Sequence, residues 1–299
     1  MRRILSVSIL VLGCLAAFAG TPSVRKADDS KYVVSVGSTT LVVDAAQGGN
    51  VLSYKYKDSE IISQVPRPNA FGSTFWTSPQ IEWNWPPVPE YDTAPYEAEI
   101  RDGALFLTGP VCDKFKYRIL KEYRPDPADD AVVVTYTIVN ESNATRSVAP
   151  WEITRVLNGG LIFFDAPLES VEAANGMGAI DFKEVPGLDY VWFTVDDCDV
   201  NRKVNADGKG WLAFADNGLL LVKKFPDLGR RSRPAPGEAE IQVYVNIGHT
   251  YIELEGQGAY RQVAPGESLT WTVRWYLVPA GKTDKPSRKL VDKIHSIVD

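Results

Sequence analysis

Leu269-Thr270-Trp271-Thr272-Val273-Arg274-Trp275-Tyr276-Leu277 alternates apolar and polar residues, and that alternation decides the fold class. Successive side chains of a strand point to opposite faces. Leu269, Trp271, Val273, Trp275 and Leu277 therefore predict the inward face of a half-buried strand. Val33-Val34-Ser35-Val36, Thr40-Leu41-Val42-Val43, the run from Ala131 to Val139 and Leu219-Leu220-Leu221-Val222 share the same β-branched and apolar enrichment. Turn signals separate them: Gly48-Gly49-Asn50, Asp102-Gly103, Asp207-Gly208, Asp216-Asn217-Gly218 and Pro265-Gly266. Only the C-terminus predicts a helix. Ser287 caps it after Pro286, and Leu290, Val291, Ile294, Ile297 and Val298 recur at helical spacing. His295 falls outside the densest apolar stripe and reads as a surface residue without a role. Strands throughout and one terminal helix specify an all-β, mostly antiparallel sandwich. No internal repeat interrupts it, so residues 31–299 are expected to form one domain behind a linker at 20–30.

The N-terminus has a different character. Met1-Arg2-Arg3 and the apolar run from Ile4 to Phe18 are laid out as a secretory signal, with Ala17-Phe18-Ala19 as its small-x-small cleavage site. The run is too short for a membrane span. Val11-Leu12-Gly13-Cys14 also matches a lipoprotein box with Cys14 as its lipidated residue, but apolar sequence continues past Cys14 and favours simple cleavage. The mature chain is thus expected outside the cytoplasm, in the periplasm or beyond. Without residues 1–19 the chain keeps 30 basic and 38 acidic side chains, a balance that argues against nucleic acid and anionic membranes as partners. Cys112 and Cys198 leave one disulfide open as a question and make no metal knuckle. No cofactor is expected.

Two stretches carry candidate chemistry. Phe71 to Tyr91 holds Trp76, Trp83 and Trp85 together with Pro79, Pro86, Pro87 and Pro89, which predicts a long stiffened loop rather than a central strand. Aromatic planes stack on sugar C–H faces while Gln80, Glu82 and Asn84 reach hydroxyls. The same rings would also serve to plug one end of the sandwich. The second stretch runs from Asn246 to Tyr260. As a strand it places His249, Tyr251, Glu253 and Glu255 on one face, with Ile252 and Leu254 on the other. His249 and the two carboxylates are candidate proton-transfer groups. In Pro150-Trp151-Glu152-Ile153-Thr154-Arg155, Glu152 and Thr154 share one face and Trp151, Ile153 and Arg155 the other; Glu152 and Arg155 are candidate ligand contacts or structural ion pairs.

Five segments together resemble a bacterial domain family of unknown function within the galactose-mutarotase-like superfamily. They are Gly48 to Tyr54, Phe71 to Gln80, Ala149 to Arg155, Gly248 to Glu253 and Ala264 to Ser268. The resemblance covers roughly residues 30–280 and implies a β-supersandwich with a sugar-binding groove on the concave face of its larger sheet. It implies a carbohydrate partner, mono- or oligosaccharide, met by Trp76, Gln80, Glu82, Trp83, Trp85, Glu152, Arg155 and Tyr251. Aldose 1-epimerases of the superfamily open the ring with a histidine acid and a glutamate base, and those roles would fall here to His249 with Glu253 or Glu255. A non-catalytic glycan binder, or a relative of glycoside hydrolases or polysaccharide lyases, fits the same groove.

Overall fold

A computed structural model describes residues 20–65, 71–174, 176–196, 199–248 and 250–299. The expected signal segment with Cys14, the cysteine at 198 and the candidate acid His249 lie outside the described residues. Cys112 is a buried free thiol among them.

Two antiparallel sheets pack face to face. The larger runs in the order Gly20–Lys26, Lys31–Gly37, Thr39–Asp44, Asn50–Tyr56, Ser73–Ser78, Arg146–Val156, Ile252–Gln257, Ile241–Val245, Arg202–Ala206 and Glu172–Ala173. In the smaller sheet Tyr117–Asp126, Ala131–Asn140, Ser268–Pro279, Leu219–Lys224 and Trp211–Asp216 lie side by side in that order. Alternation builds the interior as expected: Trp271, Val273, Trp275 and Leu277 are buried, and so are Val132, Val134, Tyr136 and Ile138 of the neighbouring strand. The opposite sheet meets them with Tyr54 and Phe75. The Phe75 and Tyr136 rings stack at 4.1 Å, and Tyr54 meets Trp275 edge-on at 5.5 Å. The C-terminal helix, Arg288–Val298, begins at Ser287, whose hydroxyl accepts the Leu290 amide, and buries Leu290, Val291 and Ile294. His295 sits on its exposed side, with Asp299 and Asp189 beside the ring.

Three expectations are corrected. Phe71 to Tyr91 is not loop throughout, because Ser73–Ser78 is a fully buried strand paired with Arg146–Val156. Proline restricts only itself and the residue before it, and the first proline here is Pro79, one residue past the strand. Gly20–Lys26, placed in the expected linker, is an edge strand paired with Lys31–Gly37. An edge position accommodates its Pro22.

Glu152 is the third correction. It faces the inter-sheet core rather than a groove. Its Oε1 accepts hydrogen bonds from the Tyr136 hydroxyl at 2.7 Å and Trp275 Nε1 at 3.0 Å, and its Oε2 lies 2.5 Å from Lys223 Nζ. Lys223 also donates to Thr154 Oγ1 at 2.8 Å. The central strand Arg146–Val156 is buried on both faces over most of its length, so its alternation separates two faces without revealing which one meets the smaller sheet.

Candidate functional site

Antiparallel register assembles the other face of the larger sheet. Trp151 opposes Gln257, Ile153 opposes Glu255 and Arg155 opposes Glu253; further out Gln242 opposes Glu255, and Tyr244 stands between Glu253 and Lys203. Directly opposed residues share a face, so Glu253 and Glu255, which alternation places on one face of their strand, stand with Trp151 and Arg155.

Ion pairs tie this face together. Arg155 is wholly buried: its Nε donates to Glu253 Oε1 at 3.0 Å, its Nη1 donates to Thr74 Oγ1 at 3.1 Å, and its guanidinium lies over the Trp76 ring. Glu255 Oε2 accepts from Trp151 Nε1 at 3.0 Å and from Lys203 Nζ at 2.9 Å. Burial pushes Glu255 up to about 7, with the Glu253 charge adding to the rise and Lys203 and Trp151 opposing it. Tyr251 lies just before the strand, half-buried, and packs against Tyr244.

The tryptophan segment divides its roles. Trp76 and Trp83 are buried and cluster with Trp151, Trp76 meeting both other rings edge-to-face, with Trp83 Nε1 donating to the Thr77 carbonyl at 2.8 Å and Trp76 Nε1 to Asp92 Oδ1 at 2.9 Å. Those two rings plug the sheet. Trp85, 52 % exposed, reaches Trp76 from outside, and Glu82 is exposed nearby in sequence. The Gln80 amide donates to Glu238 Oε1, while Glu238 Oε2 accepts from the Ser78 hydroxyl and Gln257 Nε2. Glu238 thereby pins the segment to the loop before Ile241–Val245.

What stays open is a hollow of about 400 Å³ at the Arg155 end, walled by Asp44, Gln47, Asn50, Leu52, Thr74 and Asp92. Gly48 and Gly49 turn the chain into it with positive φ, and a Cβ on Gly48 would meet the Asp92 carbonyl at 2.4 Å. Lys121 donates to the Gly48 carbonyl at 2.7 Å and Tyr123 to that of Gly49 at 2.9 Å, fixing the turn. Asn50 then donates to the Asp92 carbonyl at 2.8 Å. Two buried polar atoms on this hollow have no hydrogen-bond partner among the described residues: Asn50 Oδ1 and Arg155 Nη2.

The same architecture occurs in solved structures. A galactose mutarotase-like protein from Lactobacillus casei matches with a TM-score of 0.58 at 11% identity, over 83% of this chain and 100% of that one. The chain has the galactose mutarotase-like fold. A Klebsiella pneumoniae protein provisionally described as an aldose 1-epimerase matches with a TM-score of 0.57 at 11% identity, over 89% of this chain and 82% of that one. A galactose mutarotase-like protein from Clostridium acetobutylicum gives 0.52 at 10% identity, over 86% and 99%. No protein-family model and no curated protein matches the sequence. Within this galactose mutarotase-like fold Arg155, Glu253, Glu255 and Trp76 come together, whereas Glu152 is separated from them by the sheet itself. Asp92 and Lys203 join the site from segments the sequence reading passed over, and Asn50 from a turn to which it gave no site role. Lys203 and Asn205 alternate with buried Val204 and Ala206, a strand signal that the adjacent acidic turn obscured.

Proposed function

We propose that the chain is an exported protein that binds a mono- or oligosaccharide in the hollow between Arg155 and Asn50. One observation carries the reading: Arg155 and Asn50 line the same cavity, and each keeps a buried polar atom, the donor Nη2 and the acceptor Oδ1, without a partner among the described residues. A sugar hydroxyl donates and accepts at once, so neighbouring hydroxyls satisfy both atoms. Leaving them unmatched costs about 1–3 kcal/mol each. The volume falls within the roughly 300–1,000 Å³ range of small-molecule sites, and the exposed Trp85 offers a ring face for a further sugar unit. The mutarotase-like description of the fold neighbours agrees with this reading, and the arginine-containing N-terminus with its apolar run supports export.

A glycan array on the chain from residue 20 onward, followed by titration calorimetry on the hits, tests it. Asn50→Ala and Arg155→Lys are each expected to weaken the best hit by about tenfold, the equivalent of one lost hydrogen bond of this kind. Affinity unchanged in both variants, with native melting behaviour, refutes the site.

A second reading, carbohydrate processing by acid–base chemistry, is favoured by Glu255. Its proton exchanges near neutrality, as a general acid or base requires, and its Oε1 has no partner among the described residues. Under this reading, anomer interconversion of the bound sugar, followed by exchange NMR, is accelerated by the native chain and not by Glu255→Gln.

A further inference from the structure

The loop ahead of Ile241–Val245 borders a cavity of about 470 Å³ toward the Glu172–Ala173 edge of the larger sheet, lined by residues other than those of the Arg155 hollow. Asn205 and Asp207 line it from one sheet strand and its end, Glu172 from the neighbouring strand, and Arg233 and Glu240 from the loop. Glu240 is 1 % exposed. Its Oε1 accepts the Gly210 amide at 2.8 Å, but its Oε2 has no hydrogen-bond partner among the described residues. A buried carboxylate oxygen without a donor is costly. Burial, helped by the charges of Asp227 and Asp207 and opposed by the backbone amides of Gly210 and Leu228, pushes Glu240 up to about 7.

The lining fixes the sign of what would relieve it. Arg233 is the sole basic side chain on the described wall, against Glu172, Asp207, Glu238 and Glu240. Glu238 is already engaged with Ser78, Gln80 and Gln257. Among the described residues no three His, Cys, Asp or Glu side chains converge closely enough to hold a metal ion. A ligand that brings its own hydrogens and a positive charge matches such a lining.

We propose that this cavity is a second binding site, for a small organic cation of monosaccharide size whose ammonium group donates to Oε2 of Glu240. Asp207 adds attraction from the rim, and Asn205 supplies a polar contact for hydroxyls. The site is independent of the saccharide reading of the Arg155 hollow, since Glu240 and Asp207 do not line that hollow.

Titration calorimetry with glucosamine at neutral pH, against N-acetylglucosamine and glucose as uncharged controls, tests the assignment. Glucosamine is expected to bind about tenfold or more tightly than either control. Glu240→Gln keeps an oxygen for the Gly210 amide but offers no charge, and is expected to erase that preference. Asp207→Asn, at an exposed position where folding is not at stake, is expected to weaken glucosamine several-fold. Equal affinity for the three sugars overturns the proposal, and so does a preference for glucosamine that survives both substitutions.

Discussion

Replacing Glu152 by alanine is expected to lower the free energy of unfolding by about 3–5 kcal/mol, the usual cost of stranding one partner of a buried ion pair. Lys223 would be left between the sheets with Thr154 as its hydrogen-bond acceptor and the Trp275 ring under its ammonium. Tyr136 and Trp275 would each lose the carboxylate they donate to. The reciprocal change, Lys223→Met, is expected to cost a similar amount, because it leaves buried Glu152 without its ion-pair partner. Removing both charges together is the informative comparison. A buried ion pair replaced by apolar groups of like volume is often neutral, so Glu152→Leu with Lys223→Met is expected to be more stable than either single variant. Urea denaturation of the native chain, Glu152→Leu, Lys223→Met and the double variant measures this cycle. Single-variant losses under about 1 kcal/mol would mean that solvent reaches the pair.

Unfolding free energy is also expected to pass through a minimum near pH 7, where most proteins lie near their maximum. Glu240 and Glu255 are both raised from 4.5 to about 7 by burial. Between those values each holds a proton in the folded chain and releases it in the unfolded one, so stability falls as pH rises. Lys121 behaves in the opposite sense. Fully buried against the carbonyls of Gly48 and Gly49, it is pulled down from 10.5 to about 7, and burial draws Lys223 the same way. Between about 7 and 10.5 such a lysine is neutral when folded and charged when unfolded, so stability rises with pH. Each limb is expected to span a few kcal/mol. Chemical denaturation from pH 5 to 9.5 reads both limbs. Glu255→Gln is expected to flatten the acid limb and Lys121→Met the alkaline one; a maximum at neutrality would show that these four groups are not dry.

Much of this architecture was legible in the residues. Alternation in Leu269 to Leu277 named the inward face correctly, because that strand is buried mainly on one side, and the enrichment of Ala131 to Val139 marked its neighbour as a strand. Periodicity and Ser287 located the terminal helix. The same rule separated Glu152 from Arg155, but it does not say which side is interior when a strand such as Arg146–Val156 is covered on both. Ser73–Ser78 holds no proline and was hidden because the prolines that follow it count against the whole segment, although each acts only locally. The hollow escaped for a different reason. Its two unpartnered atoms belong to residues 105 positions apart, and only the sheet order that inserts Ser73–Ser78 between their strands makes them neighbours. Sequence spacing carries no trace of that order.

The central strand has a consequence for how this protein can change over time. Eleven residues supply both the carboxylate that anchors the interior and the guanidinium that borders the hollow. Thr154, between them in this respect, is held by Lys223 on one side and by the Ser73 hydroxyl in the next strand. Drift toward a new ligand specificity in this segment therefore disturbs the packing beneath it, and repair of that packing shifts the guanidinium in turn. Adaptation should proceed instead through Gln47 and Thr93, which border the hollow and are exposed to solvent.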